Sequence, residues 1–329
     1  MKLEPKTISQ LVHNTLSYTF GENDDLHFYR FTQTQRQTYK QESPEWEMKC
    51  DASASVTLDF VPDSDYIALK FDLRPGSSQR WCSIDLYVDG VFWDHRYAGD
   101  LSVTLAAFPL PAGDHRVTVY FPWSAQTVVK EVRLSDGARV TPIGARQKML
   151  FLGDSITQGY LSRFASMSYV NQVARILDME AVNQGIGGYY FNDATIDETL
   201  LAYQPDIILV AYGTNDYSRY ESLEDYAAHS GSYLQKLAAL FPHTPILGIL
   251  PLYRNDQNHQ ARKLYRSYSL DDARAVLRAQ YEACGYALVQ TGIPHVPQAY
   301  GPDFLHPNEF GFSVMAQGVS RKVQEILGK

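Results

Sequence analysis

Cysteine is scarce in this chain. Its 329 residues include three, Cys50, Cys82 and Cys284, far apart and odd in number. That excludes a disulfide framework, and without Cys-x-x-Cys or paired Cys/His spacing there is no structural zinc site to read. Positive charge is also short: 29 Lys and Arg against 37 Asp and Glu leave a formal net charge of −8. Such a balance lacks the electrostatic footprint of a nucleic-acid binder and opposes docking on an anionic membrane. No apolar run approaches the roughly 20 residues that a membrane helix needs. The opening Met1-Lys2-Leu3-Glu4-Pro5-Lys6 carries no apolar signal core, so the expectation is a reduced, cytoplasmic protein. No His-Glu-x-x-His pair and no lysine-bearing glycine loop occurs, so no metal or nucleotide cofactor is indicated.

Hydrophobic residues make up 45% of the chain and charged residues 20%, the balance of a globular protein with length for two domains. Residues 1–140 read as all-β. β-rich runs recur at Ala54–Phe60, Tyr66–Leu73, Ser83–Val88, Val91–Arg96, Leu101–Ala106, His115–Phe121 and Thr127–Leu134. Turn signals separate them, and Asp89-Gly90 suits a two-residue hairpin whose central positions both need positive φ. The pattern predicts a β-sandwich, jelly-roll-like, as an accessory domain over 1–140. All four tryptophans, Trp46, Trp81, Trp93 and Trp123, fall within it. Their rings serve either as packing or as a platform for sugar rings.

A Gly- and Pro-containing linker follows at Ser135–Gly144, and then the period changes. Short apolar runs at Met149–Leu152, Ala181–Val182, Ile207–Ala211, Ile246–Leu250 and Ala287–Gln290 alternate with helical stretches near Leu223–Phe241, Asp271–Ala283 and Gly311–Leu327. Strands alternating with helices predict a doubly wound parallel α/β sheet, assigned to a domain over 146–329. In such sheets ligands bind at the carboxyl ends of the strands. The run Met149–Leu152 ends in Gly153-Asp154-Ser155, which puts Ser155 at that end on a tight strand-to-helix turn. Ile207–Ala211 leads to Gly213-Thr214-Asn215-Asp216. Close to the C-terminus, Asp303-Phe304-Leu305-His306-Pro307-Asn308 sets a carboxylate three residues before a histidine.

Gly153-Asp154-Ser155-Ile156-Thr157, Asn183…Gly187-Gly188, Gly213-Thr214-Asn215-Asp216 and Asp303-x-x-His306-Pro307-Asn308 occur in that order, and together they resemble the blocks of the SGNH (GDSL-type) serine hydrolase superfamily. Ser83-Ile84-Asp85-Leu86-Tyr87 is similar to a Gly-x-Asp-Leu-Tyr signature upstream of some bacterial SGNH esterases, with Ser83 where that signature has glycine. The resemblance implies a flavodoxin-like SGNH fold and a serine esterase. It also implies an oxyanion hole from the backbone N–H of Ser155 and Gly188 and the side-chain amide of Asn215, with Gly187 a close competitor of Gly188.

The chemistry fits those residue types. A serine hydroxyl is a poor nucleophile until a base takes its proton as it attacks, and His306 is the candidate base. Asp303 is placed to accept from its Nδ1–H and fix the tautomer. Asp154, adjacent to Ser155 on a sharp turn, points away and braces the loop instead; Asp216, His243 and His295 are read as structural. Tyr189 and Tyr190, directly after Gly188, either narrow the acyl pocket as substrate-binding residues or pack beneath the loop. The two-domain resemblance points to removal of small acyl groups, acetyl foremost, from a saccharide. The alternatives are a lipase or acyl-thioesterase on the same fold, and a carbohydrate-binding protein whose hydrolase domain is inactive. A homo-oligomer is compatible with the sequence.

Overall fold

The computed structural model describes residues 1–254 and 267–328; residues 255–266 and Lys329, part of the span assigned to the second domain, lie outside the described residues. Two antiparallel sheets form the N-terminal half. One orders Val12–His13, Thr57–Pro62, Val117–Tyr120, Cys82–Val88 and Val91–Ala98, with Val140–Pro142 also paired to Thr57–Pro62; the other orders Ser17–Phe20, Leu26–Tyr29, Ala125–Leu134, Tyr66–Pro75 and Leu105–Pro109. Alternation does the folding here. In Tyr66–Pro75, Ile67, Leu69 and Phe71 are wholly buried while the residues between them turn outward. They meet Leu58, Phe60, Ile84, Leu86, Val117 and Val119 of the facing sheet in one core. That is a sandwich.

The all-β reading of residues 1–140 needs a correction. Two helices, Gln33–Glu42 and Pro44–Cys50, interrupt the strands. Thr32 and Gln35 close a reciprocal capping box at the first, and Ser43 followed by Pro44 starts the second in the manner that favours helix entry. Phe31, Tyr39 and Cys50 are buried in the core of the α/β half, not of the sandwich. The strand expected at Leu101–Ala106 lies later, at Leu105–Pro109.

The C-terminal half is a five-stranded parallel sheet ordered Glu180–Gly185, Lys148–Gly153, Ile207–Ala211, Ile246–Ile249, Ala287–Val289. Along the chain this order is second, first, third, fourth, fifth, the flavodoxin-like arrangement. Its central strand, Ile207–Ala211, is apolar throughout because both faces are covered, and the strand beside it, Lys148–Gly153, shows the two faces. Met149 and Phe151 face the helices Tyr169–Leu177 and Glu309–Leu327, whereas Leu150 and Leu152 face the layer holding Leu223–Leu240 and Leu270–Ala283. The halves are also joined by polar contacts. Asp85, wholly buried in the sandwich, accepts from the Ser166 N–H at 2.8 Å. Asp59, 2% exposed, pairs with Arg116 at 2.7 Å and with Arg146 at 3.0 Å.

Candidate active site

The strand Lys148–Gly153 stops at Gly153, where any Cβ would collide with Thr157 Oγ1, and the chain turns at once into the one-turn helix Ser155–Gln158. Asp154 caps it, its carboxylate accepting from the Ile156 N–H at 2.9 Å. Burial pushes this carboxyl up to about 7, and the neighbouring charge of Asp216 adds to the rise. Asp216, wholly buried and likewise pushed up to about 7 by burial, accepts from the Phe191 N–H at 2.9 Å. Both acids brace loops.

Ser155 Oγ lies 2.6 Å from His306 Nε2, and His306 Nδ1 lies 2.6 Å from Asp303 Oδ2. Asp303 Oδ1 accepts from the backbone N–H of Leu305 and of His306, each at 3.1 Å. Burial raises the Asp303 carboxyl, but the hydrogen bond and charge of His306 and these N–H groups outweigh it and hold the acid below its usual range. An ionised Asp303 makes Nδ1 the protonated nitrogen, leaving the Nε2 lone pair toward the serine hydroxyl. Asn308 anchors the loop. Its side chain caps the C-terminal helix through the Gly311 N–H and donates to the carbonyls of Gln298 and Tyr300. Ser155 and His306 are 7% and 8% exposed, so the pair is nearly dry, and its electrostatics are strengthened accordingly.

Facing Ser155 is the loop after Glu180–Gly185. A Cβ at Gly187 would stand 3.6 Å from Ser155 Cβ. The Gly187 N–H donates to Gln158 Oε1 at 2.8 Å, so that donor is already spent. Gly188 holds φ +86°, which favours glycine, and a Cβ there would crowd Trp46 Cη2 at 3.1 Å. Asn215 Nδ2 donates to the Tyr189 carbonyl at 2.8 Å, which uses one of its two amide hydrogens. Asn183 stitches the strand end, donating to the Thr157 carbonyl at 2.7 Å and accepting from the Gly185 N–H at 2.8 Å.

Tyr189 is corrected. Its ring is wholly buried beneath the loop, edge-on to Tyr39 and Trp46, with its hydroxyl donating to Glu42. An aromatic there gains more from packing than a pocket wall would, so it does not line the site. Tyr190 is half-buried, stacked on Tyr189 at 4.7 Å with the Arg219 guanidinium 3.9 Å from its ring centre. Of the tryptophans, Trp46 stands against Gly188, and Trp123 packs 5.5 Å from Tyr160. Tyr160 in turn lies 4.5 Å from the His306 ring. Trp81 meets Trp123 edge-on, and Trp93 is exposed with its indole N–H on the Pro109 carbonyl.

Sequence reasoning missed three neighbours of this site, Lys49, Gln158 and Tyr160, and offered Trp46 only as one of four rings for packing or sugar binding. Lys49 Nζ donates to the Gly187 carbonyl at 2.7 Å. The buried Gln158 amide donates to the carbonyls of Gly76 and Trp123 at 3.0 and 3.1 Å. Thr32-x-x-Gln35 and Ser43-Pro44 were the signals for the helices that carry Trp46 and Lys49. No group of three or more His, Cys, Asp or Glu among the described residues is arranged to hold a metal ion. Among the described residues no helix is long and apolar enough to cross a membrane.

A parallel sheet of this order, with a serine, a histidine and a carboxylate meeting at its carboxyl edge, is the layout of an α/β acylhydrolase. The model of the GDSL-like lipase/acylhydrolase family matches residues 151–314, and this part of the chain belongs to that family; the protein is a carboxylic ester hydrolase. Among solved structures, the salicylyl-acyltransferase of a tetracycline biosynthetic pathway is similar over 96% of this chain and 94% of its own, at 20% identity and a TM-score of 0.80. A family two carbohydrate esterase from Clostridium thermocellum, in complex with cellohexaose, covers 96% and 99% at 15% identity and a TM-score of 0.68. An acetyl xylan esterase from the rumen bacterium Butyrivibrio proteoclasticus covers 100% and 98% at 14% identity and a TM-score of 0.65. At these identities the likeness is one of fold, and it extends over both halves of the chain. No curated protein sequence matches significantly.

Proposed function

We propose that the protein is a serine esterase that removes small acyl groups, acetyl foremost, from a saccharide through an acyl-enzyme on Ser155. The observation that carries this reading is the relay Ser155 Oγ–His306 Nε2–Asp303, with both contacts at 2.6 Å. His306 takes the serine proton as Oγ attacks the acyl carbon, then returns it to the departing sugar oxygen; water repeats the sequence in reverse. Asp303 stays ionised and supports the imidazolium. The N–H of Ser155, at a helix start where it has no intrahelical partner, joins the Gly188 N–H and the second Asn215 amide hydrogen around the oxyanion.

A small acyl group suits the large rings of Trp46 and Tyr160, which stand against Gly188 and His306, with Tyr190 as a further wall. A saccharide leaving group suits the aromatic surroundings and the fold shared with carbohydrate esterases. In the same proposal, residues 1–140 form an accessory unit and 146–329 the catalytic unit. The test is acetate release from acetylated mono- and oligosaccharides against a Ser155→Ala control, with p-nitrophenyl esters of increasing chain length. Activity peaking at eight carbons or longer refutes the small-acyl reading. Failure of a fluorophosphonate to label Ser155 in folded protein refutes the enzyme mechanism.

A further inference from the structure

We infer that Lys49, on the helix Pro44–Cys50 of the N-terminal half, is a positioning residue for ester cleavage that orients and polarises the peptide supplying the Gly188 N–H. The inference rests on the esterase reading of the site. The Gly187 carbonyl and the Gly188 N–H belong to one peptide unit, and in a planar trans unit they point in opposite directions. Lys49 Nζ holds the carbonyl at 2.7 Å, so the N–H, on the opposite edge of the same plane, is aimed away from Lys49. It has no acceptor among the described residues.

The neighbouring unit is fixed as well, because the Gly187 N–H is taken by Gln158 Oε1 at 2.8 Å. Both main-chain polar groups of Gly187 are thereby clamped, one by the helix that begins at Ser155 and one by the N-terminal half. An ammonium drawing electron density from the carbonyl oxygen also makes the attached N–H a stronger donor. That gain is realised where negative charge develops, in the transition state, rather than in the bound ester.

Lys49 is built in rather than incidental. It is 6% exposed, a placement that costs a cation its hydration unless specific partners replace it. Its partners are the Gly187 carbonyl, the Glu45 carboxylate and the Trp46 ring, whose centre lies 4.7 Å from Nζ. Glu45 is 57% exposed; a pair with so wet a partner contributes little and does not by itself account for the burial. The root of the side chain is pinned too. The wholly buried Arg30 donates to the backbone carbonyls of Lys49 and Ala52 on one side and of Asn183 and Gly185 on the other. The lysine is thus registered to the strand that leads into the loop it holds.

Steady-state hydrolysis of p-nitrophenyl acetate by the full chain tests this with Lys49→Met, Lys49→Arg, Glu45→Gln and, as reference, Asn215→Ala. Lys49→Met is expected to lower kcat about 10- to 100-fold, part of what loss of one oxyanion donor costs, with KM changed less than about threefold. Lys49→Arg is expected to recover most of kcat, and Glu45→Gln, which leaves the ammonium on the peptide, to retain at least wild-type kcat. Lys49→Met at wild-type kcat while Asn215→Ala is impaired, or a rise in KM alone, overturns the inference and leaves the esterase reading standing. If Lys49→Met does not fold, a tenfold or greater loss of kcat in folded Glu45→Gln overturns it, and retained kcat supports it. A wild type no more active than Ser155→Ala brings down the esterase reading, and this inference with it.

Discussion

Replacing Asp303 by asparagine tests the site most sharply, because the two oxygens of that carboxylate do different work. Oδ2 faces His306 Nδ1 at 2.6 Å, while Oδ1 takes two backbone N–H groups at 3.1 Å. The introduced amide keeps those backbone bonds best with its carbonyl oxygen, which turns its NH2 toward Nδ1. The imidazole then does better with its proton on Nε2, where it faces Ser155 and no longer serves as a base. Loss of charge adds to this. A carboxylate and an imidazolium roughly 4 Å apart interact by about 4 kcal/mol at an effective dielectric of 20, and by about 1 kcal/mol in water.

The Asp303 side chain is 38% exposed, so the charge contribution lies between those limits, at about 2 kcal/mol or roughly 30-fold in rate. Asp303→Ala removes the charge without imposing the wrong tautomer, and kcat is expected to fall about 30-fold to 100-fold. Asp303→Asn adds the tautomer penalty and is expected to cost about 10²- to 10⁴-fold, with KM little changed. Both are measured as kcat and KM on p-nitrophenyl acetate, alongside thermal unfolding. An Asn variant within threefold of wild type, or consistently better than the Ala variant, would refute the reasoning and make the site a Ser155–His306 dyad.

Ser155→Ala and His306→Ala are each expected to remove nearly all turnover, and the double variant to be little worse than either, because the pair acts as one unit; kcat in all three variants checks it. Gly188→Ala places a side chain at φ +86° and within 3.1 Å of Trp46; kcat is expected to fall about 10²- to 10³-fold in a protein that still unfolds cooperatively. Arg30→Met strands the carbonyls of Ala52 and Asn183, and urea denaturation is expected to show a loss of about 3 kcal/mol or more. Asp154 ionises near 7 in the fold, raised by burial, against about 3.9 in an unfolded chain. A raised folded pKa means stability that is full below the unfolded value and is lost as pH rises through 7. Asp154→Asn keeps the cap without the ionisation, so its stability relative to wild type is expected to rise between pH 5 and 8; a flat difference in denaturation midpoint across that range would count against a buried, neutral acid.

The legible and illegible parts of this chain divide by how far along the sequence a physical constraint reaches. The strand Lys148–Gly153 announced itself because burial on both faces demands an unbroken apolar run, and the turn after it because Gly153 has room for no side chain. Asp303 and His306 are three residues apart, so one tight loop makes their contact, and spacing suffices to suggest it. Tyr189 marks the limit of such reasoning. Adjacency to Gly188 gave its position in the chain, but the direction of its ring depends on Tyr39 and Trp46, which arrive from some 140 residues earlier. The helices Gln33–Glu42 and Pro44–Cys50 left local capping signals, yet nothing local says that their buried face belongs to the other half of the molecule. Lys49 and Gly187 are separated by 138 positions, and a lysine on a short helix has the pattern of a solvated surface residue until the fold buries it. A residue's chemistry can be read from its neighbours in sequence when a single turn builds the contact. When two halves of a chain must dock to build it, the same residue type carries no local mark of its role, and the loop at Gly187 and Gly188 is held by Lys49, a side chain of that second kind.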